Sequence, residues 1–210
     1  MTLEIEINNI AFILHNTGAL YWPGKKMLLL SDVHLGKVSH FRKHGSAIPN
    51  NAILQNFKKL DAVVKHFEPE SICFLGDLFH SSLNKEWILF EQWVSNIRLP
   101  LLLIAGNHDI ISPHKYEELN IAIHNEWILD GFLLTHHPET REGFFNLSGH
   151  VHPAVQLQGM GRQFLKLPCF FRNKNQMILP AFGEFTGTYV VEPQQEDIIY
   201  ITTKEEVIRL

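Results

Sequence analysis

The stretch Met27-Leu28-Leu29-Leu30-Ser31-Asp32-Val33-His34 runs from four apolar residues directly into a carboxylate and an imidazole. Short apolar runs of this kind are typical of β-strands that are buried on both faces. Three later runs also end in polar residues: 72–75 is followed by Gly76-Asp77, 99–105 by Gly106-Asn107-His108-Asp109, and 132–135 by His136-His137. We therefore predict four buried strands that each end in residues able to bind a ligand.

Amphipathic segments separate these apolar runs. Residues 51–67 carry apolar side chains at helical spacing, after Pro49 and Asn50, which are common start signals of a helix. Residues 84–97 repeat the pattern, and Ser112-Pro113 predicts a capped short helix through Leu119. Alternation of strands and helices indicates right-handed crossovers and a sheet packed against helices. The first half of the chain therefore predicts an α/β fold.

The N-terminus and the last third of the chain show less helical pattern. The first residues, MTLEIEINNIAF, alternate apolar and acidic residues, which indicates a strand rather than a signal peptide. Further strands are predicted at 156–167, 176–181, 188–192 and 197–201, joined by turns rich in Gly, Pro and Asn. We expect these strands and the N-terminal ones to form a second sheet.

Length and composition predict one domain over residues 1–210, with 45% hydrophobic and 19% charged residues. No stretch approaches the roughly 20 apolar residues that span a bilayer. The two cysteines, Cys73 and Cys169, lie far apart in sequence, so neither a disulfide framework nor a CxxC metal site is indicated, and we expect a reducing cytoplasm. The formal net charge of −4 argues against a generally basic nucleic-acid-binding surface but leaves a local basic patch open.

The polar strand ends are expected to meet, because loops beyond the carboxyl ends of adjacent strands converge on one crevice in an open α/β sheet. With the histidines of Gly149-His150-Val151-His152-Pro153, the candidate metal ligands are Asp32, His34, Asp77, Asn107, His136, His150 and His152. Oxygen and imidazole donors without thiolate suit Mn²⁺, Fe or Zn²⁺, and these donors are too many for one tetrahedral ion. We therefore predict two divalent ions, with Asp77 as the bridging carboxylate.

Each candidate ligand also has an ordinary role when it is taken alone. Asp32 or Asp77 could cap a helix, and Asn107 could be a turn residue. His136 and His137 are adjacent, so either could be the ligand, and we favour His136 because it directly ends the apolar run. A shared site is favoured by the order in which these short polar motifs occur along the chain.

That order, D-x-H, G-D, G-N-H-D, H and G-H-x-H, resembles the calcineurin-like metallophosphoesterase superfamily over most of the chain. The resemblance implies an α/β fold of two mixed β-sheets packed as a sandwich and flanked by helices in four layers, α/β/β/α. It implies that one ion is held by Asp32, His34, Asp77 and His152, and the other by Asp77, Asn107, His136 and His150. It also implies that His108 lies near the substrate, paired with Asp109.

Such a site has the chemistry of phosphoester hydrolysis. Two divalent ions roughly 3.5 to 4 Å apart can share a hydroxide and hold phosphate oxygens for in-line attack. With both ligand sets full, we expect His108 to stabilise the transition state and protonate the leaving oxygen, with Asp109 fixing its tautomer. We expect His150 and His152 to lie in an extended segment ended by Pro153, with one imidazole for each ion.

Further motifs are similar to those of the ligase-associated DNA damage response metallophosphoesterases, the PdeM family. They are HLGKVSHFRKHG from His34, GHVHPAV from Gly149, GMGR from Gly159, LPCF from Leu167 and LPAFGEFTG from Leu179. This resemblance implies a bacterial DNA-repair endonuclease that works alongside a DNA ligase, a helicase and a second nuclease.

The basic, histidine-rich segment 35–45 follows the first candidate ligands. Its Lys37, His40 and Arg42, together with Arg162, are candidate contacts to a phosphate backbone, although the segment could also be a solvated loop. The leading hypothesis is an endonuclease that acts on single-stranded or damaged DNA with two divalent ions, for which Mn²⁺ is expected and Fe or Zn²⁺ are alternatives. A phosphoesterase of a nucleotide or other small phosphate ester is the alternative. A non-catalytic protein-binding scaffold is the third hypothesis, and the intact ligand set argues against it.

Overall fold

The structure, a computed structural model, describes residues 1–39, 51–80, 82–161 and 163–210. Its first sheet has the strand order β1-β2-β3-β4-β5-β6-β7. The strands are β1 (Thr2–Ile7), β2 (Ile10–His15), β3 (Leu20–Trp22), β4 (Met27–Leu30), β5 (Ser71–Leu75), β6 (Leu101–Ile104) and β7 (Ile121–His124). Neighbours from β1 to β4 are antiparallel, whereas those from β4 to β7 are parallel. The carboxyl ends of β4, β5 and β6 therefore lie at the same edge of the sheet.

The second sheet has the order β14-β11-β12-β13-β10-β9-β8, with β15 paired to β12 and β16 paired to β15. The strands are β8 (Trp127–Leu129), β9 (Phe132–Leu134), β10 (Phe145–Ser148), β11 (Pro153–Gln158), β12 (Phe164–Arg172), β13 (Gln176–Ile178), β14 (Tyr189–Val190), β15 (Ile198–Thr202) and β16 (Val207–Arg209). The sheet is mixed: β10 is parallel to β9 and β13, while β11 is antiparallel to β12.

The α-helices pack on the outer face of the first sheet. Those that lie wholly within the described residues are α1 (Asn51–Phe67), α2 (Lys85–Ile97) and α3 (Pro113–Glu117), and a 3₁₀-helix spans Pro23–Lys25. Leu60 of α1 and Phe90 of α2 pack in one apolar cluster with Leu28 and Phe74 of the sheet. Within the described ranges, no helix is both long and apolar enough to cross a membrane.

The inner faces of the two sheets form a second apolar cluster. Its aromatic centre consists of Phe12, Trp22 and Phe132, whose ring centroids lie 4.9 to 5.1 Å apart. Phe132 belongs to the second sheet and the other two rings to the first. Aromatic contacts of this kind contribute beyond simple burial of area, so they help to hold the sheets face to face.

This architecture confirms the predicted α/β fold with two mixed, packed β-sheets. In the described part of the chain, however, the α-helices cover the first sheet, and no fourth, helical layer lies over the second. The outer face of the second sheet carries a small apolar cluster of its own strands, including Val155, Cys169 and Ile199.

Two strand predictions placed a strand in the wrong sheet. The N-terminal strands β1 to β3 join the first sheet rather than the second, because they continue from β4 as antiparallel hairpins. The run 132–135, which was expected beside the other buried strands, becomes β9 in the second sheet. Burial on both faces is the same in either sheet, so the apolar pattern did not distinguish them.

The predicted strand 156–167 is also wrong, since it is a hairpin of β11 and β12. The strands are joined after Gly159, whose N–H donates to the Gln163 carbonyl at 2.9 Å, and Gly161 has a φ of 76°. A residue with this φ is favoured to be glycine, and that was the available turn signal.

Candidate metal centre

The candidate ligands follow the carboxyl ends of strands in both sheets. The first sheet supplies Asp32 and His34 after β4, Asp77 after β5 and Asn107 after β6; the second supplies His136 after β9, and His150 and His152 after β10. The crevice therefore lies where an edge of one sheet meets an edge of the other, whereas we predicted convergence within a single sheet.

Five of the candidate ligands have a left-handed backbone conformation. They are Asp32 (φ 53°), His34 (φ 51°), Asp77 (φ 50°), His150 (φ 68°) and His152 (φ 52°). For a residue other than glycine this conformation costs on the order of 1 to 3 kcal/mol, and such residues cluster at functional sites. Backbone hydrogen bonds between the loops hold it here: Asp32 N–H donates to the Gly76 carbonyl at 3.1 Å, and His34 N–H to the Asp77 carbonyl at 3.0 Å.

The first donor cluster consists of Asp32, His34 and His152. His152 Nε2 lies 3.1 Å from Asp32 Oδ1 and 3.3 Å from His34 Nε2. Two nitrogens that each bind one ion at about 2.1 Å lie roughly 3.0 to 3.4 Å apart for bond angles between about 90° and 109°. The separation of the two imidazole nitrogens therefore fits a shared cation.

The second donor cluster centres on His136. Its Nε2 lies 3.0 Å from Asn107 Oδ1 and 3.1 Å from His150 Nδ1. His136 Nδ1 donates to the Leu75 carbonyl at 3.0 Å, so in the neutral ring the lone pair is on Nε2. That lone pair faces Asp77 Oδ1 at 3.4 Å, an arrangement that is repulsive unless a cation lies between the two atoms. This cluster too fits a bound metal ion.

Asp77 lies between the two clusters and is almost completely buried. Its Oδ2 is 3.9 Å from His34 Nε2, and its Oδ1 is 3.4 Å from His136 Nε2. Oδ1 also accepts a hydrogen bond from His108 N–H at 2.9 Å. A carboxylate with one oxygen towards each cluster has the geometry that a bridging ligand requires.

The protonation states of the two imidazoles in the first cluster are also compatible with metal binding. Burial, followed by the charges of Lys37 and His152, lowers the pKa of His34 to about 2, which leaves its imidazole neutral and able to donate a lone pair. Burial lowers the pKa of His152 too, but the hydrogen bond and charge of Asp32 outweigh burial, and the net shift is upward. Since His152 Nδ1 donates to the Gly187 carbonyl at 3.0 Å, a bound cation would displace the proton on Nε2.

The segment from Gly149 to Pro153 is a tight bend, so the predicted extended segment was wrong. Val151 N–H donates to the Gly149 carbonyl at 2.8 Å, and Pro153 begins β11 rather than ending a strand. The bend sends the two imidazoles to different clusters, His150 towards His136 and His152 towards His34.

His108 lies at the rim of the first cluster, with its ring centroid 5.7 Å from that of His34. Asp109 has other partners than the predicted one: its Oδ1 accepts from Phe79 N–H at 3.0 Å and its Oδ2 from Gly106 N–H at 2.9 Å. Burial raises the pKa of this carboxyl to about 6. These two hydrogen bonds link the loops after β5 and β6, and among the described residues no hydrogen bond joins Asp109 to the His108 ring.

His80, which none of the ordered motifs contains, lies at the same rim. Its ring centroid is 4.6 Å from that of His108 and 5.2 Å from that of His34. The available signal was its position three residues after Asp77 in GDLFH, but it falls outside the ordered motifs. His137 is exposed, with its centroid 4.0 Å from that of His150, whereas His136 is buried and faces Asp77.

Of the predicted substrate contacts, Lys37 is described, whereas His40, Arg42 and Arg162 lie outside the described residues. Burial lowers the pKa of the Lys37 ammonium, and the charges of Asp77 and Asp32 offset only part of this shift. A half-buried ammonium thus lies near Asp77, between the clusters, and near Asp32 of the first cluster.

Comparison with known proteins gives a family and several solved structures. The family model of the calcineurin-like phosphoesterases matches residues 25–176. The crystal structure of Pseudomonas putida nuclease MPE has a TM-score of 0.84 and 30% sequence identity, with 100% of both chains covered. Yfce, a phosphoesterase from E. coli, has a TM-score of 0.45 and 13% identity, with 88% of this chain and 97% of that chain covered. No curated protein matches the sequence.

Proposed function

The chain belongs to the calcineurin-like phosphoesterase family, and from this premise we propose that it is a dimetal phosphodiesterase that cleaves DNA, in particular single-stranded or damaged DNA. The observation that carries the proposal is the pair of donor clusters joined by the Asp77 carboxylate. Full-length similarity to a nuclease from Pseudomonas putida supports a nucleic-acid substrate.

In this proposal, the ligands of one ion are Asp32, His34, Asp77 and His152, and those of the other are Asp77, Asn107, His136 and His150. When bound, two divalent ions would supply an activated water and neutralise charge on the phosphate oxygens. Because the donors are imidazoles and oxygens without thiolate, Mn²⁺ is the proposed ion, with Fe or Zn²⁺ as alternatives.

Two further side chains act on the substrate in this proposal. Lys37 binds a phosphate oxygen, since its ammonium lies beside the first cluster and phosphate is a strong partner for a cationic donor. His108 donates a proton to the leaving oxygen from the rim of that cluster. Asp109 links the loops after β5 and β6 through two amide hydrogen bonds and so positions the loop that bears His108.

An activity panel tests the proposal. Purified protein is incubated with Mn²⁺, Zn²⁺ or Mg²⁺, and with single-stranded DNA, duplex DNA, RNA or bis(p-nitrophenyl) phosphate. We expect Mn²⁺-dependent cleavage of single-stranded DNA, which the Asp77→Asn variant purified in parallel should lack. If the protein hydrolyses the small diester but leaves every nucleic acid uncut, the nucleic-acid part of the proposal is wrong.

Hydrolysis of a nucleotide or another small phosphate ester is the second candidate, and the formal net charge of −4 favours it over a nuclease with a broad basic surface. The salt dependence of KM distinguishes the two, because contacts to a phosphate backbone release counterions and weaken steeply with added salt. The association with a DNA ligase, a helicase and a second nuclease that the sequence resemblance implies stays a prediction.

A further inference from the structure

Glu86 is a buried carboxylate that the proposed chemistry does not use. It lies in the first turn of α2 and is 1% exposed. Its Oε2 accepts from Gly36 N–H at 2.7 Å, and its Oε1 accepts from Ser39 N–H at 3.0 Å and from Ser39 Oγ–H at 2.7 Å. A buried carboxylate is unfavourable unless donors satisfy it, and here the donors come from one short segment of the chain.

That segment, residues 36–39, carries Lys37 and is held from two sides. Before it, His34 N–H donates to the Asp77 carbonyl at 3.0 Å and Leu35 N–H to the Leu78 carbonyl at 2.9 Å. After Gly36, which has a φ of 85°, residues 37–39 are helical, and Glu86 binds amides on both sides of Lys37. The backbone of Lys37 is therefore fixed between the loop that bears Asp77 and the start of α2.

The position of this backbone matters for a lysine in particular. A lysine ammonium is a point charge on a flexible four-carbon stem, so the backbone decides where the charge can reach. A misplacement of about 1 Å at a reacting centre can lower the rate by roughly 100-fold. The ammonium of Lys37 interacts electrostatically with Asp77, which lies between the two clusters, and with Asp32 of the first cluster.

We propose that Glu86 is a positioning residue, which holds the segment 36–39 so that Lys37 lies at the edge of the metal centre and binds a phosphate oxygen of the substrate. The inference rests on the proposed function only in requiring a phosphate ester as substrate. The effect of Glu86 on activity should therefore depend on the presence of Lys37, and not only on the stability of α2.

A double-mutant cycle tests this dependence. Glu86→Gln keeps the shape of the side chain but turns one acceptor oxygen into a donor amide, and Lys37→Met removes the ammonium. We expect each variant to lower kcat/KM for single-stranded DNA about tenfold, and the double variant to lie within about twofold of Lys37→Met. If Glu86→Gln has the same effect with and without Lys37, the positioning role is excluded.

Glu91→Gln is the matched control on the same helix. Glu91 Oε1 accepts from Trp87 Nε1–H at 2.7 Å, so this change also replaces a hydrogen-bonded carboxylate of α2 by a neutral amide. We expect it to change thermal stability without changing kcat/KM by more than about twofold. An equal loss of activity in Glu91→Gln would show that any weakening of α2 impairs the enzyme, which would overturn the inference.

Two measurements apart from turnover complete the test. Amide hydrogen exchange at Gly36 and Ser39 should accelerate in Glu86→Gln and not in Glu91→Gln. Binding of a fluorescein-labelled single-stranded oligonucleotide, with Ca²⁺ in place of Mn²⁺, should weaken about tenfold in Glu86→Gln but show no further loss in the Lys37→Met background. Ser39→Ala removes one donor and should give a smaller loss of the same kind, which covers the case in which Glu86→Gln does not fold.

Failure of the nuclease proposal can be distinguished from failure of the positioning role of Glu86. If the wild-type protein does not cut DNA, the same cycle is measured on bis(p-nitrophenyl) phosphate, which also presents a phosphate oxygen to Lys37. Coupling between Glu86 and Lys37 on that substrate supports the positioning role even though the nuclease proposal has failed. Additive effects on either substrate exclude the positioning role.

Discussion

Two imidazoles at the candidate metal centre are held through Nδ1 and turn Nε2 towards the donor clusters. His136 donates from Nδ1 to the Leu75 carbonyl, so its Nε2 meets Asn107 and Asp77 with a lone pair. His152 also donates from Nδ1 to the Gly187 carbonyl, so its Nε2, which lies 3.1 Å from Asp32 Oδ1, is the nitrogen from which a bound cation would displace a proton. Backbone carbonyl partners of this kind orient imidazole ligands in metal sites.

Substitutions of Asp77 and His108 separate metal binding from chemistry. Asp77→Asn removes the negative charge between the clusters, so we expect loss of bound metal and of turnover. His108→Gln should keep both ions and lower kcat by roughly 100- to 10,000-fold, the range for loss of a general acid. Metal content by mass spectrometry and single-turnover rates measure both effects. Loss of metal in His108→Gln would mean that His108 is a ligand and not a proton donor.

Gly76→Ala tests whether the room beside β5 is needed for His136. The added methyl would overlap the His136 ring, and the φ of 82° disfavours any side chain. We expect a loss of stability above the roughly 1 to 2 kcal/mol of the left-handed backbone alone, together with loss of one ion.

Gly131→Ala is the control for that prediction, because its φ of 81° is nearly the same and nothing lies within 4 Å of the added methyl. Urea unfolding and metal content of the two variants give the comparison. Equal destabilisation, with metal content unchanged in both, would show that the ring of His136 can move without consequence.

At the scale of single elements, the end of β2 contains a titratable group that should make folding pH-dependent. Burial, followed by the charges of His66, the N-terminus and Lys59, lowers the pKa of His15 to about 4. Its Nδ1 accepts a hydrogen bond from Thr17 N–H at 3.3 Å and lies 2.8 Å from Thr17 Oγ1. A proton on Nδ1 would oppose the amide hydrogen bond, so the folded protein keeps this imidazole neutral.

The unfolded chain binds this proton near pH 6.5, whereas the folded chain binds it only near pH 4. The free energy of unfolding should therefore fall as the pH drops from 6.5 to 4, with His15 accounting for about 2 kcal/mol at pH 5. His15→Asn keeps an acceptor for the Thr17 amide and should flatten this part of the pH profile. His124→Gln, an exposed histidine in β7, is the control and should leave the profile unchanged. If the free energy of unfolding depends on pH equally in His15→Asn and in the wild type, the prediction is contradicted.

The elements differ in how far their sequences predicted them. Helix α1 was predicted with its observed bounds, and α2 to within one residue: Asn84, the first residue of the predicted helix, is its N-cap, with Oδ1 accepting from Glu86 N–H at 2.8 Å. These are local signals of spacing and hydrogen bonding within a few residues. The bend at His150 and His152 was not predictable, because contacts from distant residues hold it, such as His150 N–H donating to Asp32 Oδ2 at 2.9 Å.

At the scale of the whole molecule, the donors of each cluster come from both sheets. His152 of the second sheet meets His34 of the first, and His136 of the second meets Asn107 of the first. Ions bound there would contact both sheets, and a site made in this way does not exist in the unfolded chain. Metal binding should therefore stabilise the fold.

Titration with Mn²⁺ should raise the free energy of unfolding by about 2.7 kcal/mol for each site when free metal reaches 100 times its Kd. Calorimetry in Mn²⁺ and in EDTA measures the difference, and Asp77→Asn should lose most of it. A melting temperature of the wild-type protein that is the same in Mn²⁺ and in EDTA would contradict a site shared between the sheets.

The sequence pattern alone predicted the local structure and the candidate ligands. These are the buried apolar runs, the main helices, and the carboxylates, amide and imidazoles at the ends of strands. These follow from spacing and residue type, which act over a few residues. Tertiary packing alone decided that β9 lies in the second sheet, that Asp109 binds backbone amides and that Glu86 holds the segment bearing Lys37. Such contacts join residues far apart in sequence, and their free energy exists only once the two sheets and α2 have packed together.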